Sequence, residues 1–253
     1  MRRIRLVVAI GMVAAVTLAS VACSDDDGGT GQATSRVVTP EEAGVLADLL
    51  VDNHDAGGAD FVATVPYGVA TVELEGRIDW ENHVGRATVH TEVDGKPAGA
   101  DRDVVWNPNV VFEEVPGLEA EMAARGRPGV QWVARPLDPR SSSLHLLLQL
   151  IDTTSSTTRD NPVLLVSNGV RWLRTDEVDG TPVDVFRNDR TTYWVGRKDH
   201  RLHRLEARLS ATDSVARLDF TDVGPRTIEV PDDPAIVALD EVADVYERLV
   251  GNS

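Results

Sequence analysis

The sequence predicts an α+β fold in which one long, curved antiparallel sheet carries helices in or against its concave face. Residues 70–80 alternate between apolar and polar side chains, which is typical of a strand with one face in water. After residue 170 the chain reads as a series of short strands separated by turn pairs such as Asp179-Gly180. Apolar helical segments precede and interrupt the strands, and a long sheet with one apolar face must curl or be covered.

The first helix of this fold is predicted to begin at Thr39-Pro40-Glu41-Glu42, which supplies a capping hydroxyl, a proline at the first helical position and two acids. Gly57-Gly58 is predicted to end it. Strands are then expected at 70–80, 104–106, 110–112 and 130–134, with turns at Asn82-His83 and Asp94-Gly95.

Two short apolar helices are predicted in the middle of the chain, at Leu144–Ile151 and Asn161–Gly169. Neither has a clear polar stripe, so both are expected to bury most of their surface. Later strands are predicted at 174–179, 183–187, 191–196, 202–210, 215–221 and 227–230. A C-terminal amphipathic helix is expected from Asp233 to Leu249, with Ile236, Leu239, Val242, Ala243, Tyr246 and Leu249 on its apolar stripe.

The N-terminal residues predict export. Three arginines precede an uncharged apolar run that ends in small residues before Cys23, the order found in a secretory signal peptide. A permanent membrane helix is the alternative, but the run is only just long enough and no basic cluster follows it. We therefore expect a cleaved signal over 1–22, a polar tether over 23–37 and one folded domain over 38–253.

Cys23 is the only cysteine in the chain, so it cannot form an internal disulfide. The run Ala19-Ser20-Val21-Ala22-Cys23 resembles the bacterial lipobox, although Ser20 stands where that pattern usually has leucine. The resemblance implies acylation of Cys23, palmitate among the possible chains, and anchoring to the outer face of the cytoplasmic membrane. An ordinary signal peptide with a chance cysteine is the alternative.

The charge balance excludes some partners. The full chain has 25 basic and 41 acidic residues, and removing residues 1–22 takes away three of the basic ones and no acids. Nucleic-acid binding needs a basic surface, so that class of protein is excluded. A run of basic residues that would dock on a membrane is also absent from the sequence, which leaves the lipid as the expected anchor.

No sequence pattern of a known catalytic or cofactor site is present, so we expect no enzyme activity, no metal and no cofactor. His200 and His203 are the closest pair of histidines, but three residues apart on a hairpin they point to opposite faces, so a polar turn is favoured over a metal site. Asp25–Asp27 is read as a solvated run, and Ser141–Ser143 as a cap for the leucine-rich helix. The tryptophans are either core anchors or ligand-stacking groups: Trp80, Trp106, Trp132, Trp172 and Trp194.

From about Thr39 to Pro231 the order of elements resembles the LppX/LprG family of actinobacterial envelope lipoproteins, whose fold is related to the lipoprotein carrier LolA. The similar stretches are the opening helix with its long strands, Pro136–Pro139 before the leucine-rich helix, Glu177–Val185, and Tyr193 to Val230. The C-terminal helix and the strong negative charge depart from the family.

This resemblance implies a half-barrel whose concave face holds the acyl chains of a membrane lipid or glycolipid, as a carrier or presenter. The residues expected to face that cavity occupy the alternating strand positions whose side chains point inward: Val72, Leu74, Ile78, Ala87, Val89, Leu205 and Leu209. A packed core would show the same pattern. A non-catalytic interaction lipoprotein with a filled core therefore stays open, and an enzyme with an unrecognised site is the weaker third possibility.

Overall fold

The structure is a computed structural model that describes residues 35–140, 142–209 and 214–250. The predicted signal peptide, Cys23 and most of the tether lie outside these residues. The helices are α1 Pro40–Ala56, α2 Leu118–Ala124, α3 Ser143–Asp152, α4 Pro162–Ser167 and α5 Ala243–Val250. The first strands are β1 Arg36–Val37, β2 Gly58–Tyr67, β3 Ala70–Asp79, β4 Val84–Val93, β5 Lys96–Pro97, β6 Arg102–Trp106, β7 Val110–Glu114 and β8 Trp132–Pro136. The later ones are β9 Arg171–Val178, β10 Thr181–Arg187, β11 Thr191–Gly196, β12 Leu202–Arg208, β13 Val215–Thr221 and β14 Ile236–Ala238.

All of these strands belong to one curved sheet that does not close on itself, as the sequence predicts. The strand order is β1-β9-β10-β11-β12-β13-β2-β3-β4-β6-β7-β8-β14, and β5 pairs with β4. Every pair is antiparallel except β14 with β8, which is parallel. The chain therefore builds a half-barrel of hairpins, in which the central β13–β2 pair joins the two halves.

Helix α1 begins and ends where the sequence predicts. The Thr39 hydroxyl accepts a hydrogen bond from the Glu42 amide, and the Glu42 carboxylate accepts one from the Thr39 amide. Together these bonds satisfy two amides at the helix start. Gly57 ends the helix with a φ of 84°, a left-handed conformation that costs glycine little.

The main core lies on the concave face. Helix α3 packs against β2 and β3 there, and its Leu147, Leu148 and Ile151 are fully buried. Two aromatic pairs join this core, Phe61 with Trp106 and Trp80 with Phe220, both edge-to-face. The tryptophans at 80 and 106 are therefore core anchors.

A second core lies at the far edge of the sheet, between β8, β14, α2 and α5. It corrects the predicted C-terminal helix, since only residues 243–250 are α-helical. Two short 3₁₀ turns, Asp233–Ala235 and Leu239–Glu241, flank β14, whose three residues pair with 132–134 of β8. Pairing with β8 gives the open edge of that strand a partner and buries Val237, whereas a helix starting at 233 would leave the edge of β8 unpaired.

The prediction of a strand at 227–230 is wrong. The structure has no helix or strand between 222 and 232. Thr227, Ile228 and Glu229 line a shallow depression on the face of β3 and β4 opposite the main core. The chain leaves β13 near the middle of the sheet and must reach β14 at its edge, so this segment crosses the strands instead of joining them.

The sequence reasoning missed the two-residue strands β1 and β5 and two longer elements, β2 and α2. Strand β2 alternates Ala59, Phe61, Ala63 and Val65, all buried, with more exposed neighbours. Its small alanines and Pro66 weaken the strand signal. Helix α2 has only two buried residues, too few to show a helical period.

Candidate functional site

The residues predicted to face a cavity share the concave face of the sheet. Six of the seven are at most 5% exposed and belong to the main core, while Val72 is partly buried against it. Register pairs Leu74 with Ala63 and Val89 on the neighbouring strands, so these side chains form one apolar layer. Both a ligand cavity and a packed core require this placement, so ligand binding by these residues stays a prediction.

Helices α1 and α3 fill the space over this layer. They are joined by a buried polar contact in which the Asn53 side-chain amide donates to the Thr154 carbonyl at 2.8 Å. The Trp80 indole N–H donates to the Thr154 hydroxyl at 3.1 Å. This contact fixes the end of α3 to both α1 and the sheet, because a buried donor left without its acceptor is costly.

In the described part of the chain, two spaces with mainly apolar surface lie next to the helices. The smaller, about 50 Å³, lies between α1, α4 and the sheet, with Leu46, Leu49, Leu165, Val170 and Tyr193 among its lining residues. The larger, about 260 Å³, is open to solvent and lies between the start of α1 and strands β10 and β11. Small-molecule sites usually measure about 300 to 1,000 Å³. Neither space reaches that range.

Helix α4 departs from its prediction. It was expected to bury most of its surface, yet none of its residues is buried. Leu165 is turned toward the core, whereas Val163 is 71% and Leu164 54% exposed. The helix has six residues, of which only Pro162 and Leu165 are partly buried and the other four are exposed.

The exposed side chains of α4 lie at the same end of the sheet as several other exposed apolar side chains. The β2–β3 turn joins Tyr67 to its pairing partner Ala70, which also pairs with Val93. Val215 begins β13 at this end, and α4 leads through Val170 into the start of β9. Of ten exposed large apolar residues in the described chain, eight lie at this end. Val37 belongs to the edge strand β1, beside the start of β9. We call the other seven the apolar rim: Tyr67, Val69, Val93, Val163, Leu164, Val166 and Val215.

Two buried polar groups lie elsewhere and hold elements in place. The Glu113 carboxylate is 1% exposed and binds the guanidiniums of Arg102 and Arg135 and the Tyr246 hydroxyl. Burial and the Glu113 charge raise the pKa of Tyr246 to about 12. On α3, the Nδ1 atom of His145 accepts a hydrogen bond from the Asp138 amide at 3.0 Å, and burial lowers the pKa of this histidine.

The other candidates from the sequence are placed as follows. His203 bonds Asp199 through Nε2 at 3.1 Å, and His200 occupies a left-handed turn position. Within the described ranges, no three metal-ligating side chains group together. Ser142 caps α3 by accepting a hydrogen bond from the His145 amide, as predicted for the serine run. No helix in the described part of the chain is long and apolar enough to cross a membrane.

Comparisons with known proteins find similarity only at the level of structure. No family model and no curated protein sequence matches the chain. An uncharacterized conserved protein from Thermus thermophilus aligns over 78% of this chain and 99% of its own, with a TM-score of 0.40 and 10% identity. MucB aligns over 79% of this chain and 66% of its own, with a TM-score of 0.37 and 15% identity.

A complex of MucA and MucB from Pseudomonas aeruginosa also matches, over 77% of this chain and 58% of that one, with a TM-score of 0.32 and 15% identity. These values do not assign the chain to a family. The half-barrel expected from the LppX/LprG resemblance is the architecture observed here, and membership of that family remains a prediction.

Proposed function

We propose that this chain is a non-catalytic envelope lipoprotein that binds a partner at its apolar rim and fills its half-barrel with its own helices. The observation that supports this proposal is the unequal distribution of apolar side chains. Leu147, Leu148 and Ile151 of α3 occupy the concave face, whereas Val163, Leu164 and Val166 of α4 are exposed. Exposed apolar clusters of this kind often mark interaction surfaces.

The export and acylation predicted from residues 1–23 are part of this proposal. Replacing Cys23 with alanine is expected to release the chain from the membrane fraction, because two acyl chains are needed for stable anchoring. Radiolabelled fatty acid should be incorporated into the unsubstituted chain alone. An unlabelled chain that stays in the membrane fraction with either residue at 23 would contradict the lipoprotein assignment.

A second candidate is the carrier of a membrane lipid or glycolipid. It is favoured by the apolar crevice of about 50 Å³ beneath α4, which joins the main core through Leu46 and Leu49. A crevice this small is far below the volume of a typical ligand site. A carrier would therefore have to displace α4 to admit an acyl chain.

Native mass spectrometry of residues 24–253 separates the two candidates. This segment contains every described element and both cores, so it is expected to fold without the first 23 residues. We expect the mass of the bare polypeptide. A stoichiometric lipid adduct that survives purification would favour the carrier and would contradict the filled half-barrel.

A further inference from the structure

Arginine side chains lie along one side of the apolar rim, on the strands β9 to β12 and a turn between them. Arg171 begins β9 and is the pairing partner of Arg187 at the end of β10, and Arg190 lies in the turn that follows. Arg208 ends β12 opposite Val215 of the rim. All four are exposed. They are separated by up to 37 positions in the chain, which is why the sequence shows no basic run.

In the part of the chain that the structure describes, neither Arg187 nor Arg190 forms an ion pair, and basic side chains outnumber acidic ones in the depression that they line. Several other arginines on the sheet are paired, as in Arg86 with Asp103 and Arg174 with Asp176, both at 2.8 Å. Among the described residues, neither Arg187 nor Arg190 has a carboxylate within ion-pair distance, although Asp189 and Glu206 line the same open depression. With Arg208, that depression holds three basic and two acidic side chains. At physiological ionic strength charges are screened over about 8 Å. The charged side chains at this end of the sheet, and not the net charge of the whole chain, therefore decide which charged partners it attracts.

The chain also enters the fold at this end. The Arg171 guanidinium donates to the Ser35 carbonyl at 2.6 Å, which holds the first described residue beside the start of β9. Cys23 is twelve residues upstream. An extended segment of that length spans at most about 40 Å, so a lipid on Cys23 would keep this end of the sheet close to the bilayer.

From these three observations we propose that the apolar rim and its arginines dock on the surface of an anionic lipid leaflet. This inference rests on the proposed function and names the partner. Val69 and Val163 are more than 70% exposed and therefore project from the surface. Aliphatic and tyrosine side chains enter the interface between head groups and acyl chains, while basic side chains bind the anionic head groups.

Sedimentation with lipid vesicles tests the docking, using residues 24–253 so that no acyl chain contributes. The parent is expected to bind vesicles containing phosphatidylglycerol more tightly than vesicles of phosphatidylcholine alone, and to lose that preference in high salt. Arg187→Gln with Arg190→Gln should weaken binding to the anionic vesicles by about 25-fold, since each basic side chain near such a surface contributes a factor of about five. The matched control is Lys198→Gln with Arg201→Gln in the turn between β11 and β12, which should bind like the parent.

The apolar contribution has its own pair of variants. Val163→Ser with Leu164→Ser should weaken binding to both kinds of vesicle, and Val230→Ser, which is also exposed but lies outside the rim, should not. All of these side chains are exposed, and thermal melting checks that the variants remain folded.

Three results would overturn the docking: no preference of the parent for anionic vesicles, equal losses in the rim and control variants, or inhibition by free inorganic phosphate at concentrations that leave ionic strength unchanged. The last would identify a pocket for a small anion. The proposed function fails separately, through a lipid adduct in native mass spectrometry, so the two outcomes are distinguishable.

Discussion

Helices α3 and α4 have similar compositions and opposite environments. Both are rich in leucine or valine, and both follow a polar capping residue, Ser142 for α3 and Asn161 for α4. Helix α3 is ten residues long and buries its apolar face against β2 and β3. Helix α4 is six residues long, contacts α1 and buries none of its residues.

The difference shows that apolar composition does not decide where a short helix lies. Helix α3 is fixed at both ends, by the Asp138–His145 hydrogen bond before it and by the Thr154 contacts after it. Helix α4 is followed by Gly169, in a left-handed conformation, and then by the start of β9. The chain that enters β9 must stay at the end of the sheet, and α4 stays there with it.

The largest effect that tests this comparison is expected from Leu148→Ala on α3. Leu148 has no exposed surface, so its truncation should lower the free energy of unfolding by about 2 to 5 kcal/mol through lost burial and the cavity left behind. Urea unfolding of residues 24–253 measures the change. A loss below about 1 kcal/mol would mean that α3 is not part of the cooperative core.

A somewhat smaller effect is expected from Leu74→Trp on the sheet beneath α3. In a filled half-barrel the larger side chain overpacks the layer shared with Ala63 and Val89, which should cost roughly 1 to 3 kcal/mol. If α3 moves aside to open a cavity, the indole has room, and stability should barely change while any bound lipid is lost. Thermal melting and lipid co-purification, read together, separate these outcomes.

The burial of α3 also predicts a pH dependence. Burial and the Arg135 charge lower the pKa of His145 in the folded chain below the ordinary value of 6.5. Between those two pKa values the unfolded chain binds more protons than the folded one, so the free energy of unfolding should fall as the pH drops below about 6.5. The fall attributable to His145 ends once the pH passes the folded pKa.

His145→Asn is the variant that isolates this contribution. The asparagine side-chain oxygen can accept the Asp138 hydrogen bond but does not titrate near neutral pH. Stability of the variant should therefore change less than that of the parent as the pH falls from neutral into the range where an ordinary histidine is protonated. Identical slopes would show that the imidazole is accessible to protons without any cost to folding.

The sequence predicted the sheet because its strands alternate and its hairpins carry turn residues such as Asp94-Gly95 and Asp179-Gly180, which are local signals. It could not predict contacts between distant segments. Val237 alternates over only three residues, and its pairing with Val133 in β8 is a long-range contact. The same limit applies to the proposed docking surface, where residues as distant as Tyr67 and Val215 lie at one end of the sheet only after β2 has paired with β13.

The smallest effect on stability is expected from Leu164→Ser on α4, and the prediction is that stability hardly changes. Leu164 is more than half exposed, and exposed substitutions away from special features usually change stability by less than about 0.5 kcal/mol. The matched control on the same helix is Leu165→Ser, which removes the one side chain that α4 turns toward the core and should destabilise the chain measurably. If Leu164→Ser destabilises as much as Leu165→Ser, α4 is buried in solution and the apolar rim loses its central part. If neither variant changes stability, α4 is not docked on α1, and the crevice beneath it is open to a ligand.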